Sequence, residues 1–493
     1  MNALEVSRFI LVAAGPYTGS SRKRDIDMKN RSRNFRSRPG RRGTAPRRDP
    51  MIGKEVDVRI ADIGARGDGL AETAAIDGKS VLVYVDGVLP GDEVRVKLRQ
   101  KRGDGYGAEV LAVHARPVAH ADAKCPHYEK CGGCSLQHVP DDDYRNWKRQ
   151  RAVQAVVRAG VSDRAEAEML VGALETSPPS SRRRADFSVI STQDGVFVGY
   201  AERFSHHIVN VPGCAVLLPE IVEFRNHCQS FLESLPRESA GIVKSIVINA
   251  ADNGLDVVIS ASAEPDLDLR QGLAELAEYV DLARIAWKTG DNPTEPLAQR
   301  RVPEVHFAGV AVPVPAGGFL QATHQGETAL TAAMADALAH IPARQVIDLF
   351  CGIGSFTFPL ALRGDRRRVL AVEGDVNAVQ ALQYAVGRAA APIEVSRRDL
   401  FRQPLDADDL KNADVVVFDP PRAGALAQCE ILADFGPEWI LAVSCNPATF
   451  ARDIRLLRNG GYELQKVVPV DQFLWSAHLE LFAVLRRALP AAA

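Results

Sequence analysis

From Gln345 onward the chain repeats one unit: a short, almost unbroken apolar run, a tight turn, and a stretch of helical periodicity. The runs Gln345 to Phe350, Arg368 to Glu373, Ile393 to Ser396, Asp414 to Asp419 and Trp439 to Cys445 are too short for core helices. Apolar runs of this length are what strands buried on both faces require. Their alternation with helices predicts an α/β fold with a doubly wound, mostly parallel sheet and helices on both faces. Leu464 to Val470 and His478 to Leu485 read as two late strands, and no internal repeat is found. Such sheets bind ligands at the carboxyl ends of their strands, so the residues closing each run form the candidate site.

The first run closes in Asp348-Leu349-Phe350-Cys351-Gly352-Ile353-Gly354. Glycines on a strand-to-helix turn let backbone amides approach a ligand, and the helix start favours an anion. A nicotinamide fingerprint would want a third glycine where this chain has Thr357. Glu373 closes the second run, where a carboxylate can accept both ribose hydroxyl protons of an adenosine, and Asp399 follows the third, where it can face adenine. Each acid alone reads as a solvated loop residue; acids in strand-end order point to a nucleoside cofactor. Asp419-Pro420-Pro421-Arg422 closes the fourth run and by itself is a rigid turn. Methyltransferases acting on exocyclic amines commonly carry an aromatic residue after the Pro-Pro pair, and those acting on cytosine carbon 5 in RNA carry a second cysteine in this region. This chain has Arg422, and no cysteine between Phe418 and Leu426, which directs the reading to uracil.

The fifth run closes in Ser444-Cys445-Asn446-Pro447. A cysteine ending an apolar strand is ordinarily a packing residue. Uracil supplies a chemical reason for it, because carbon 5 is too weak a nucleophile to take a methyl group unaided. A thiolate adding to carbon 6 turns carbon 5 into an enolate carbon that can attack a sulfonium methyl. A base must then remove the carbon 5 proton, and Glu480 in His478-Leu479-Glu480-Leu481 is the candidate.

The 493 residues leave room for two or three domains, and no apolar stretch reaches the length of a membrane helix. A soluble, cytoplasmic, monomeric protein is expected. Residues 1–50 carry 13 Lys and Arg against 4 Asp and Glu, so the remainder is net acidic and the basic arm reads as disordered. It is either a solubilising extension or an RNA tether. Gly53 to about Ala115 alternates in short segments broken by Gly67-Asp68-Gly69 and Pro90-Gly91-Asp92, which predicts a small β-barrel. Arg95, Lys97, Arg99, Lys101 and Arg102 near its end favour RNA as the partner. Residues 116–310 read as a mixed central domain containing a helix over Asp142 to Ala159, and Arg182-Arg183-Arg184 adds a modest pointer to phosphate contacts. Residues 311–493 complete the sheet-bearing domain. Cys125, Cys131 and Cys134 cluster tightly, and Cys214 is the choice for a fourth thiolate. Four thiolates bind zinc or an iron–sulfur cluster, and spacing does not choose between them. A radical enzyme would want C-x3-C-x2-C, whereas this chain has C-x5-C-x2-C. Cys228, Cys351 and Cys429 read as packing residues.

On Cys125-x5-Cys131-x2-Cys134 with Cys214, Asp348-Leu349-Phe350-Cys351-Gly352, Asp419-Pro420-Pro421-Arg422-Ala423-Gly424 and Ser444-Cys445-Asn446-Pro447-Ala448-Thr449, the chain resembles the bacterial RNA uracil-5-methyltransferases. It is most similar to the iron–sulfur enzymes acting on 23S ribosomal RNA, over about residues 51 to 490. The resemblance implies a class I, Rossmann-like methyltransferase sheet, an OB-like TRAM barrel for RNA, and a [4Fe–4S] cluster on Cys125, Cys131, Cys134 and Cys214. It also implies Cys445 as nucleophile, Glu480 as proton acceptor, and S-adenosylmethionine held by Gln321, Phe350, Ser355, Glu373, Asp399 and Asp419. Gln321 and Asp419 would reach the uracil edge as well. Ser355 departs from an asparagine in the relatives, and the basic arm is not a family feature. The implied substrate is 23S ribosomal RNA; the alternatives are transfer RNA, or a non-catalytic RNA-binding or ribosome-assembly factor.

Overall fold

The computed structural model describes residues 49–74, 78–203, 205–362 and 367–488, so the basic arm lies outside the described residues. The strands read from the apolar runs are present as β1 (Gln345–Leu349), β2 (Arg368–Glu373), β3 (Ile393–Arg397), β4 (Val415–Phe418), β5 (Trp439–Ser444), β6 (Tyr462–Asp471) and β7 (Glu480–Arg487). They lie in the order β3-β2-β1-β4-β5-β7-β6, with the short strand Glu175–Thr176 at the outer edge of β6. β1 to β5 pair in parallel, whereas β7 runs antiparallel to both β5 and β6. This reversal matters for the site. Because Ser444 pairs with Leu481, the start of β7 is brought to the carboxyl end of β5.

Alternate residues of each strand feed two cores, as the period of two demands. One face sends Ile347, Leu349, Val416, Phe418, Ile440 and Ala442 against α3 (Leu426–Phe435), α4 (Pro447–Asn459) and, from far upstream, α1 (Asp141–Arg158). The other sends Val346, Val415, Val417, Leu441 and Val443 against α2 (His324–Leu338). β4 is buried at all four positions. α1 begins after Pro140 with three aspartates in its first turn, which complement the helix dipole. It buries Ala152, Val153, Ala155 and Val156, close to the apolar side read from the sequence.

Residues 55–115 form a separate β-rich domain whose six strands are ordered Glu55–Arg59, Glu93–Arg102, Gly105–Ala115, Ser80–Val85, Gly69–Ala74, Asp62–Ile63. Its core is built from Val58, Ile60, Val83, Val85, Val94, Val96 and Leu98. The basic cluster expected there is largely neutralised. Arg95 donates to Asp57 at 2.9 Å and Arg99 to Glu109 at 2.6 Å, while Arg102 pairs with buried Asp68 and lies over the Tyr84 ring.

The central segment adds a seven-stranded sheet, from Ile208–Asn210 at one edge to Glu295–Gln299 at the other. Helices Pro219–Ser234 and Leu267–Tyr279 cover it through Phe224, Cys228, Leu232, Leu269 and Leu273. Here the reading of Arg182-Arg183-Arg184 as a phosphate-facing patch is corrected. Arg183 is fully buried and donates to Glu327 (2.5 Å) and to the Gln321 carbonyl (2.9 Å). Arg184 donates to Asn249 Oδ1 (3.0 Å) and the Gly318 carbonyl (2.7 Å). Only Arg184 of the three lies in a strand, Arg184–Thr192, and the segment leading into it turns Arg183 inward. Replacing Arg183 by Met leaves Glu327 without its cation, and breaking such a buried pair costs about 3 kcal/mol or more. Arg183→Met is therefore expected to lower thermal stability by that order while leaving the salt dependence of RNA binding unchanged, as measured by melting curves and titrations at several ionic strengths.

Candidate active site

The ends of β4, β5 and β7 meet at one edge of the sheet and carry Asp419, Cys445 and Glu480 in adjacent positions. Glu480 opens β7 and is buried; Asp419 follows β4; half-buried Cys445 follows β5. Gln321 arrives from outside the sheet, just before α2, and donates to Asp419 Oδ2 at 2.9 Å. Gln472, the first residue after β6, completes a chain of hydrogen bonds. Its Nε2 donates to Gln321 Oε1 (2.8 Å) and to Glu480 Oε1 (3.1 Å), and its Oε1 accepts from the Ala322 amide (2.9 Å). Glu480 Oε2 is buried and meets no donor among the described residues. Sequence reasoning missed Gln472, which no motif marks; its place is set by the pairing of Val470 with Glu480 across the hairpin.

Burial raises the pKa of Asp419 and of Glu480, and the charge of Asp419 raises Glu480 further; the hydrogen bonds from Gln321 and Gln472 oppose these shifts. Cys445 is pushed up to about 12, chiefly by burial and then by the charges of Glu480 and Asp419, against a smaller opposing pull from Arg422. The resting Cys445 is a thiol. A carboxyl kept partly protonated near neutral pH is suited to moving one proton.

The other half of the edge is formed by the ends of β1, β2 and β3. Phe350 (φ 58°), Gly352 (φ 55°) and Gly354 (φ 98°) all adopt left-handed backbone, which bends the chain sharply off β1. A Cβ on Gly352 would meet open space, whereas one on Gly354 would strike Leu382 at 2.8 Å. The first glycine leaves room beside the turn and the second lets the helices pack. Glu373 accepts from the amides of Gly352 (2.9 Å), Gly374 (2.7 Å) and Asp375 (2.8 Å), which fixes its carboxylate against the turn. Ser355 is half-buried in that same turn. Asp399, at the exposed end of β3, caps the Phe401 amide at 3.1 Å. Phe401 itself is half exposed and stands 5.5 Å, ring to ring, from Phe350. It too was missed, although an aromatic two residues beyond Asp399 is visible in the sequence. Asp348 is buried beneath the turn, accepts from Thr357 Oγ1 at 2.6 Å, and is raised to about 7 by burial.

Cys125, Cys131, Cys134 and Cys214 line one cavity of about 120 Å³, together with Tyr128, Gln137 and Tyr200. All four are free and half-buried. Among the described residues no three His, Cys, Asp or Glu side chains gather as a site for a single metal ion. Cys228, Cys351 and Cys429 are buried packing residues, as read from the sequence. No described helix is long and apolar enough to cross a membrane.

Comparison with known proteins gives the family. A family model described as tRNA (Uracil-5-)-methyltransferase matches residues 318–488. An uncharacterized RNA methyltransferase of Brucella suis is 38% identical over 437 residues, covering 88% of this chain and 98% of the relative. The chain belongs to the RNA uracil-5-methyltransferases. A 23S rRNA (uracil(1939)-C(5))-methyltransferase of Halomonas elongata is 32% identical over 476 residues, or 91% of this chain and 95% of the relative. The Pyrococcus abyssi tRNA (uracil-54, C5)-methyltransferase, solved with S-adenosyl-L-homocysteine, has a TM-score of 0.66 at 20% identity over 87% of this chain and 99% of its own. The fold is thus a Rossmann-like methyltransferase with an additional β-rich domain. Its reaction is S-adenosylmethionine-dependent methylation of uracil carbon 5 in RNA.

A raised thiol pKa has a direct chemical signature. Because alkylation requires the thiolate, Cys445 should react with iodoacetamide more slowly than an ordinary thiol at pH 8, with a rate still rising at pH 10. Glu480→Gln removes a negative charge and should accelerate the reaction at pH 9. Peptide mass spectrometry over a pH series reads both.

Proposed function

We propose that methylation proceeds through a covalent bond between Cys445 and carbon 6 of one uridine in a structured RNA, with Glu480 as the general base. The observation that carries this reading is the placement of a thiol and a buried carboxyl with a free oxygen on the facing ends of β5 and β7. Adding as its thiolate, Cys445 forms the S–C6 bond and uracil becomes an enolate with its charge shared between carbon 5 and O4. S-adenosylmethionine, when bound, supplies the electrophilic methyl group. Glu480 Oε2 then takes the carbon 5 proton, the C5–C6 double bond re-forms, and the thiolate leaves. Gln321 and Asp419, joined at 2.9 Å, present an amide and a carboxyl that can hold the uracil edge. For the cofactor, Glu373 would receive the ribose hydroxyls, Phe350 and Asp399 the adenine, and Ser355, with Gln321 and Asp419, the amino-acid end. The left-handed turn and the open space at Gly352 fit a ligand lying against the backbone there.

The target nucleotide must leave its stack to reach Cys445, which costs a few kcal/mol. Contacts elsewhere on the RNA have to offset this, and the β-rich domain is assigned that role as a TRAM-type module. Lys97 and Lys101 are its remaining basic residues near the strand end, since Arg95, Arg99 and Arg102 already face carboxylates. For the RNA itself, the family description and the Pyrococcus structure favour transfer RNA over the 23S ribosomal RNA read from the sequence, for which the Halomonas relative speaks. Purified protein and methyl donor should add one methyl mass to uridine in one of these two RNAs, read by nucleoside mass spectrometry. Cys445→Ala should abolish the product and spare RNA binding, and 5-fluorouridine RNA should be captured on Cys445. Turnover in Cys445→Ala would overturn the covalent route.

Cys125, Cys131, Cys134 and Cys214 are assigned to a [4Fe–4S] cluster with a structural role. The reading is supported by four free thiols lining one cavity of about 120 Å³. Anaerobically purified protein should contain about four irons, the number that a [4Fe–4S] site holds. Cys134→Ser should lose most of them and melt earlier; iron retention in that variant would remove the assignment.

A further inference from the structure

The hairpin that joins β6 to β7 carries Gln472 at one end and Glu480 at the other, and the intervening loop is gripped from outside the sheet by the central segment. Asp471, the last residue of β6, is fully buried. Its Oδ1 accepts from the Lys148 ammonium (2.9 Å) and from the Phe473 amide (3.1 Å), and its Oδ2 accepts from the Tyr144 hydroxyl. The Tyr144 oxygen in turn accepts from the Trp475 amide at 2.8 Å. Lys148, also fully buried, donates a second time to the His478 carbonyl. Trp475 sits in left-handed backbone (φ 57°), and its carbonyl accepts from the amides of Ser135 (2.9 Å) and Leu136 (3.0 Å), directly after Cys134.

None of these groups reaches the reacting atoms, yet each fixes a neighbour of one that does. Asp471 precedes Gln472, and His478 lies two residues before Glu480. A buried Lys–Asp pair is poor value for stability compared with apolar side chains of the same volume, whereas it fixes a geometry well. We propose that Tyr144 and Lys148 are positioning residues for the general base, holding both ends of the β6–β7 loop so that Glu480 Oε2 faces the carbon 5 proton of the uracil adduct. The inference rests on Glu480 as that base. The step it governs is elimination: the C5–H bond breaks with its proton going to Glu480, the C5–C6 double bond re-forms, and the S–C6 bond breaks to release the Cys445 thiolate.

A misplaced base slows elimination without slowing adduct formation, so the covalent species must accumulate on ordinary uridine. Tyr144→Phe removes one hydroxyl and keeps the ring, and Asp471→Asn keeps the shape while weakening both contacts. Each variant, with methyl donor and unfluorinated RNA substrate, is run on denaturing gels beside the parent and Glu480→Gln. The expected result is a several-fold larger fraction of RNA-linked protein in both variants and a kcat lowered roughly 10- to 100-fold. KM for RNA and for S-adenosylmethionine should fall along with kcat, leaving kcat/KM within about twofold of the parent, the pattern of a slowed step after the covalent commitment. A loss of turnover that merely tracks folded fraction or RNA affinity, with no linked species, overturns the proposal, as does parent-like turnover in both variants. If Glu480→Gln itself accumulates no adduct, it is the assignment of Glu480 that fails.

Discussion

A buried carboxyl, Glu480, meets a half-buried carboxyl, Asp419, and the half-buried thiol of Cys445 at the edge of this sheet, and the cost of that burial organises much of what surrounds them. An unpaired polar group away from water costs several kcal/mol, so Asp419 and Glu480 each need a donor that does not bring in a competing charge. Two glutamines meet the need. The chain of amides from Gln321 to Gln472 ties Asp419 to Glu480, and the Ala322 amide fills the remaining acceptor of Gln472. The relay leaves one oxygen of Glu480 without a hydrogen-bond partner among the described residues.

The central segment contributes buried cations to both ends of this relay. Arg183 donates to the carbonyl of Gln321, and Lys148 to the carboxylate of Asp471, which adjoins Gln472. Apolar packing would have held the segments together with less desolvation. Charged, directional contacts fix a register instead, and here they fix the backbone on which the two glutamines ride. Burial and the charges of Glu480 and Asp419 raise the pKa of the half-buried Cys445 thiol, which slows its reaction with electrophiles.

The sheet was legible because strands buried on both faces leave an unmistakable apolar record, and several candidate acids and the candidate thiol stand where such a record stops. Cys445, Asp419 and Glu373 were readable for that reason, and α1 for its helical period. Basic residues misled. Arg183 and Arg184 look like solvent-facing cations in a linear string; their partners Glu327 and Asn249 lie 144 and 65 residues away along the chain. Charge composition carries no information about such pairings.

The sequence by itself determined the strand, turn and helix series, the chemistry at each strand's end, and the tight grouping of Cys125, Cys131 and Cys134, because these are local in the chain. Only the tertiary structure decided that β7 enters between β5 and β6. That antiparallel insertion sets Glu480 beside Cys445, brings in Gln472, and lets Tyr144 and Lys148 reach the same hairpin from more than 320 residues upstream. Hydrogen bonds and buried charges are settled by proximity in space, and proximity is known only once the backbone has closed on itself.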